Sequence, residues 1–362
     1  MQKAFAAEKV PHAYIFAGAE GIGKYSTARQ WAKLLLCERP VSENRSGGVF
    51  ADSCGSCRSC GFFESDAHAD FQEVYKELIR FTESPSRKTP PVDLKIDVIR
   101  KFIVQKVSTR PTLSKMKVFV VIGAEMLNSA SQNCLLKVLE EPPSYCHIIL
   151  LCRRTERLLA TTRSRCQTIR FAALADGWIT EVLAQNGLEG ETAAYFARLA
   201  GGSLGKALQW GKIEASGGDL YRTKKKLVAA VSKCRYTGCI ELAESLVRKA
   251  KQMASVWTDL EAGTSTADIN RRAQKTFLEI LLSVLQDAMK YRLGKTGGLV
   301  NSDQVEPIRF LADRFETSAI SEAVERACRA MRWIEMSVNG RLVFEHLLLK
   351  LAQTDKIQVC AE

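Results

Sequence analysis

The residues best equipped for chemistry form a glycine-rich loop, Gly18-Ala-Glu-Gly-Ile-Gly23-Lys24, set between an apolar run and a helical stretch. Gly18, Gly21 and Gly23 leave the backbone free to curl its N–H groups round a phosphate, and Lys24 adds positive charge. The next residue in such a loop supplies a hydroxyl to Mg²⁺. Here it is Tyr25, a phenol too long and bulky for that position, with Ser26 one place late. Phosphoryl transfer also needs carboxylates at the end of a core strand to hold the metal and polarise water. The apolar run Lys117–Ile122 ends instead in Ile122 and Gly123, and Glu125 comes two or three residues late. The loop is compatible with bound ATP or ADP, whereas hydrolysis by this chain is not expected.

A second constellation is Cys54-x2-Cys57-x2-Cys60, with Cys37 upstream. Four thiolates suit tetrahedral Zn²⁺, and two-residue gaps bring neighbouring sulfurs within reach of one metal. With every coordination position filled by protein, the expected role is structural; an iron–sulfur cluster is the alternative occupant. The other eight cysteines (Cys134, Cys146, Cys152, Cys166, Cys234, Cys239, Cys328, Cys360) are scattered, as packing residues are. His12, His68, His147 and His346 show no paired metal-ligand spacing.

A third group is Thr162-Arg163-Ser164-Arg165-Cys166. An arginine at a domain edge can reach the γ-phosphate held by a neighbouring subunit, an effect worth as much as about 10³–10⁵ in rate. On residue chemistry alone Arg165 reads as a surface arginine in a salt bridge.

These groups need a scaffold, and the first half supplies one by alternating short β-like runs with helical stretches. Strands are expected at Ala13–Ala17, 71–75, 118–122, 147–151 and 168–171. Val118–Ile122 is unbroken in its apolar character, the pattern of a strand covered on both faces. Leu127, Ala130, Cys134, Leu135, Val138 and Leu139 recur at helical spacing, and Pro142–Pro143 ends that helix. Such alternation predicts a parallel α/β sheet with helices on both faces. Beyond Phe171 the β signal fades into short helices broken at Gly187 and Gly201–Gly202. From about Tyr221 the pattern is helical, interrupted near Gly263 and Gly294–Gly298.

The expected organisation is therefore α/β followed by all-α: a sheet domain over 1–172 with a cysteine module at about 37–62, a small helical domain over 173–215 and a larger one over 216–362. At 362 residues and 46% apolar, the chain has material for several cores. Lys plus Arg number 52 against 40 acidic residues, and the net charge of +12 suits a polyanionic partner such as nucleic acid. The basic stretches Lys224–Lys226, Arg248–Lys251 and Arg271–Lys275 are candidates for DNA contact, although solvated helix faces carry such runs more often. The sequence shows neither a signal-peptide core at its start nor an apolar run long enough to span a membrane, so a cytoplasmic protein is expected.

Taken in order, several landmarks resemble the bacterial clamp-loader subunits of the AAA+ family, over nearly all of the first domain and the small second one. They are Pro11–Phe16, the phosphate loop, the four-Cys module, Ile96–Arg100, Lys117–Ile122, Asn133-Cys-Leu-Leu-Lys-Val-Leu-Glu-Glu-Pro-Pro143, Ser164-Arg165-Cys166 and Gly201-Gly-Ser-Leu-Gly-Lys-Ala-Leu208. Motor subunits of that family, the gamma/tau type, keep an intact phosphate loop and an acidic pair. Delta-prime subunits keep the Ser-Arg-Cys arginine while their nucleotide site decays. Tyr25, Ile122, Gly123, Arg154 and Lys206 each depart from the motor pattern in the delta-prime direction.

The resemblance implies a helical lid, a C-terminal helical collar and a place in a hetero-pentamer with gamma/tau-type motors and delta. It implies that Arg165, with Ser164, acts in trans on a motor's ATP while the loader places a sliding clamp on primed DNA. Two other readings are an ATP-hydrolysing gamma/tau-type motor and a binding-only zinc protein of DNA repair on a phosphate-loop scaffold.

Overall fold

The computed structural model describes residues 1–45, 48–82, 93–261 and 264–353. Gly263 and Cys360, singled out above, lie outside these residues. The chain divides into two compact units, Met1–Ala173 and Leu174–Glu362.

Among the described residues the first unit is built on five parallel strands: β1 (Ala13–Ala17), β4 (Phe71–Val74), β5 (Lys117–Ile122), β6 (Cys146–Cys152) and β7 (Gln167–Arg170). Their order is β4-β5-β6-β1-β7, which puts the strand preceding the glycine loop inside the sheet, between β6 and β7. All five expected strands are present, each within a residue or so of its expected bounds.

Alternation along each strand fills both faces. Ala13 and Ile15 of β1, Phe119 and Val121 of β5, and Ile148 and Leu150 of β6 face one buried cluster. Tyr14 and Phe16, Val118 and Val120, and Ile149 and Leu151 face the other. Burying each aliphatic side chain of this size contributes about 1.5–3 kcal/mol, so the two-sided core is what holds the sheet. Ala28, Trp31, Ala32 and Leu35 of the Lys24–Leu36 helix close the second face. Leu135, Val138 and Leu139 of the Ser129–Glu140 helix close the first. That helix starts at Asn128, whose side chain accepts the Ser131 N–H at 2.9 Å.

Two further strands, β2 (Val41–Arg45) and β3 (Gly48–Asp52), pair antiparallel as a separate sheet inside the cysteine module. The sequence reading had no strand there. Val41 and Val49 are exposed, so the hydrophobic alternation that marks a half-buried strand is missing.

The second unit is helical. Helices Asp176–Gln185, Gly190–Ala200 and Leu204–Ile213 come first, separated at the glycines expected to break them. Leu220–Lys233, Cys239–Leu260, Thr266–Arg292, Val305–Arg314, Thr317–Glu335 and Gly340–Gln353 follow. One continuous buried cluster runs from Ile179 to Ala352 and includes residues of all nine of these helices.

Candidate functional site

The glycine loop leaves the C-terminal end of β1, the edge at which parallel sheets receive ligands. A Cβ at Gly18 would lie 2.7 Å from the Phe171 carbonyl oxygen, so only glycine lets the loop pass that close to the chain after β7. Gly23 takes φ 96° and serves as N-cap of the Lys24–Leu36 helix, a backbone conformation that side chains resist. Lys24 is buried, and its Nζ donates to the loop's own carbonyls, Gly18 O at 2.7 Å and Ala19 O at 2.5 Å. Burial lowers its pKa, against the opposing pull of Glu125 and Glu20. Gly18, Gly21, Gly23 and Lys24 therefore come together as a formed loop.

The groups that would have to serve Mg²⁺ are otherwise engaged. Tyr25 donates its phenol to Glu73 Oε1 of β4 at 2.6 Å. Glu125 is buried and held by Arg153, through the backbone N–H at 3.1 Å and Nε at 2.7 Å. Burial alone would raise the pKa of Glu125, but the Arg153 hydrogen bonds and charge hold it below the usual carboxylate range. Arg153 Nη1 also reaches Glu20 Oε2 of the loop at 2.9 Å. Arg153 and Glu20 escaped the sequence reading; the signal was the Arg153–Arg154 pair at the end of an apolar run. A carboxylate already neutralised by a guanidinium is a poor metal ligand.

Ser164 and Arg165 precede β7 and so stand at the N-terminal edge of the parallel sheet, the edge opposite the glycine loop. Arg165 Nη2 pairs with Glu140 Oε1 at 2.7 Å, and Nη1 donates to Thr161 O at 2.9 Å and to Ser164 Oγ at 3.4 Å. The residue-level expectation of a salt-bridged arginine is thus met within the chain, with 34% of the Arg165 side chain still exposed.

Cys37, Cys54, Cys57 and Cys60 converge, all four Sγ atoms lying within 4.8 Å of one another. Cys37 Sγ is 3.6 Å from Cys54 Sγ and 3.9 Å from Cys57 Sγ. Thiolates about 2.3 Å from a tetrahedral metal would be about 3.8 Å apart, so the donor set fits such an ion. Backbone N–H groups point at the sulfurs: Cys54 N to Cys37 Sγ (3.4 Å), Cys57 N to Cys54 Sγ (3.3 Å) and Cys60 N to Cys57 Sγ (3.4 Å). Such bonds stabilise thiolates, as outer-shell donors at metal sites do. This is the one such group among the described residues. Cys234 and Cys239 also meet, at 3.5 Å, with no third metal-ligating residue beside them among the described residues.

Beneath the cysteines lies a buried polar chain that the sequence reading left without a role. Asp70 N–H donates to His68 Nδ1 at 3.1 Å, so the ring proton sits on Nε2 and points to Ser59 Oγ at 2.8 Å. Ser59 in turn donates to Leu36 O at 2.6 Å. The Asp70 carboxylate accepts the N–H groups of Thr112, Leu113 and Ser114 at 2.7, 2.7 and 2.9 Å. Burial would raise the pKa of Asp70, but these bonds keep it below its ordinary value. The residues are Ser, His and Asp, yet the histidine gives its proton towards the serine. Nothing here activates a nucleophile.

Of the basic stretches, the first is corrected in part. Lys224 is fully buried and pairs with Asp303 Oδ1 at 2.5 Å, so it is no contact for DNA. Arg272 pairs with Glu261 at 2.8 Å and Lys275 with Glu335 at 2.6 Å. Arg248, Lys249 and Lys251 are exposed. Lys206 Nζ pairs with Glu279 Oε1 at 2.6 Å.

Residues 1–175 match a family described as DNA polymerase III, delta subunit, and residues 264–353 match its C-terminal family. The chain is 27% identical over 344 residues to the DNA polymerase III subunit delta' of Escherichia coli, covering 94% of this chain and 88% of that one. It is 24% identical to the delta' subunit of Bacillus subtilis over 96% of this chain and 92% of that one. It is also 26% identical to the Bacillus subtilis tau subunit, over 98% of this chain and 59% of that longer one.

Proposed function

The chain belongs to the clamp-loader subunit family of bacterial DNA polymerase III, and on that premise we propose that it is a delta-prime-type, non-hydrolysing member that lends Arg165 to a neighbouring subunit's ATP. The observation that carries this reading is the state of its own nucleotide site. The loop backbone is formed, but Tyr25 is spent on Glu73 and Glu125 on Arg153. Without a hydroxyl and a free carboxylate for Mg²⁺, nothing neutralises the charge that develops on a transferring phosphoryl group.

Arg165 supports the second half of the reading. It stands on the sheet edge away from the chain's own loop, so the phosphate it serves belongs to another subunit. Its tether, Glu140, is 47% exposed and can be exchanged for a phosphate without leaving a buried charge unpaired. Ser164 presents its hydroxyl beside the guanidinium.

In the proposed assembly 173–215 forms a lid and 216–362 a collar, within a cytoplasmic hetero-pentamer that contains gamma/tau-type motors and delta. The sliding clamp and primed DNA are its substrates. Cys37, Cys54, Cys57 and Cys60 would hold a structural Zn²⁺, which supplies a cross-link and no chemistry. The test is DNA- and clamp-stimulated ATPase of the reconstituted loader with wild-type chain or Arg165→Ala. Complexes of equal stoichiometry should differ severalfold or more in rate. An unchanged rate would overturn the assignment of Arg165.

A further inference from the structure

One face of the Lys24–Leu36 helix carries Tyr25, Arg29, Lys33 and, just past its end, Cys37. Residues four apart stack above one another on a helix, so these four form a single stripe. Every member is tied down. Tyr25 donates to Glu73 at 2.6 Å. Arg29 donates to Asp66 Oδ1 at 2.5 Å and, more loosely, to the Tyr25 oxygen at 3.3 Å and Glu73 at 3.4 Å, with its guanidinium 5.2 Å from the Phe63 ring centre. Lys33 pairs with Glu64. At the end of the helix, Leu36 O receives the buried Ser59 hydroxyl, and Cys37 belongs to the thiol cluster.

Ser59, Phe63 and Glu64 all lie on the Arg58–Glu64 helix of the cysteine module, and Asp66 comes just after its C-cap, Ser65. Seven residues are too few for a helix to persist without tertiary support. What starts this one is the thiol cluster: Cys57 is its N-cap and accepts the N–H of Cys60, another member of the cluster. Asp66 adds a mark of constraint, since it is held at φ 55°, outside the ordinary range for a side chain.

We infer that the metal module is the clamp on the phosphate-loop helix, fixing through Arg29 the Tyr25 end that phosphate and Mg²⁺ would order in a working ATPase. The inference rests on the reading of the four cysteines as a zinc site. Any single pair in the stripe is weak, because Asp66 and Glu64 are largely exposed. The coupling comes from the short helix, which either stands with the metal or melts without it and takes its partners along.

The experiment is amide hydrogen exchange on the full chain, zinc-loaded, stripped by chelator and reloaded with Zn²⁺, with bound metal quantified in each state. Stripping should speed exchange across the Lys24–Leu36 helix by about tenfold or more, while β1 and β5 keep their protection and reloading restores the helix. Arg29→Ala should retain zinc yet show fast exchange in residues 27–29, the first amides bonded within the helix, even when loaded. Faster exchange confined to 37–66, or Arg29→Ala with unchanged protection in 27–29, would overturn the coupling. Loss of protection throughout the sheet would also overturn it, since the metal would then support the whole unit. A chain that binds no zinc at all would refute the metal reading itself, a separate outcome read from the metal content.

Discussion

Arg165 and Glu140 face each other across 2.7 Å at the N-terminal edge of the sheet, and both are partly open to water. An exposed ion pair in this setting contributes about 0–1 kcal/mol, because solvent screens the attraction and ordering two long side chains costs entropy. Arg165→Ala should therefore lower the unfolding free energy of the isolated chain, measured in urea, by no more than that small amount, even as it depresses ATPase in the assembled loader. A loss of several kcal/mol would mean that the arginine is part of the fold, and the assembled-state defect would lose its meaning.

Tyr25 marks one of two defects in the nucleotide site, and the structure predicts that mending it alone achieves nothing. Tyr25→Thr restores the hydroxyl at the position where Mg²⁺ would need it. Ile122 and Gly123 still end β5 without a carboxylate, and Arg153 still occupies Glu125. Purified Tyr25→Thr chain should show no Mg²⁺-dependent ATP turnover above the wild-type background. Measurable turnover by this single variant would refute the account of why the site is silent.

What the sequence discloses and what it hides divide along physical lines. The sheet was legible because its strands are buried on both faces, so Val118–Ile122 reads as an unbroken apolar run and His147–Leu151 carries four consecutive apolar residues. The meeting of the four cysteines was legible because two-residue gaps bring neighbouring sulfurs together. The β2–β3 hairpin was hidden, since it is short and solvated and carries no alternation. Contacts between distant residues were hidden as well. Glu125 with Arg153, Tyr25 with Glu73, and Ser59 with His68 are side-chain meetings that only the folded chain brings about. Lys224 shows the same limit from the other side: a lysine in a basic run reads as solvated, and here it is fully buried.

That lysine leads to a prediction in the helical unit. Lys224 pairs with Asp303, Tyr221 donates to the same carboxylate at 2.9 Å, and the Lys224 ammonium lies 4.3 Å from the Tyr195 ring centre. Removing one partner of a buried pair leaves an uncompensated charge and costs about 3–5 kcal/mol. Asp303→Ala should destabilise the chain by that order in urea unfolding. The double variant Lys224→Met/Asp303→Leu should lose distinctly less, because it leaves no orphaned charge. Equal losses in the two would show that packing rather than charge pairing decides the site.

His147 gives the chain a pH dependence of definite sign. It lies in β6, 5% exposed, with Nδ1 3.2 Å from the Pro11 carbonyl oxygen. Burial lowers its pKa from the ordinary 6.5, the Pro11 contact opposing and the nearby His12 assisting. The folded chain thus keeps His147 neutral at pH values where the unfolded chain has already taken up a proton. As pH falls through 6.5 the unfolded state binds the extra proton and stability is lost, and the loss levels off only below the folded-state pKa. His147→Gln retains a donor for Pro11 and removes this titration. Between about pH 7.5 and about pH 5.5 the wild type should lose more unfolding free energy than the variant, a comparison in which the carboxylates common to both largely cancel. A variant that loses as much as the wild type would show that His147 does not titrate differently in the two states.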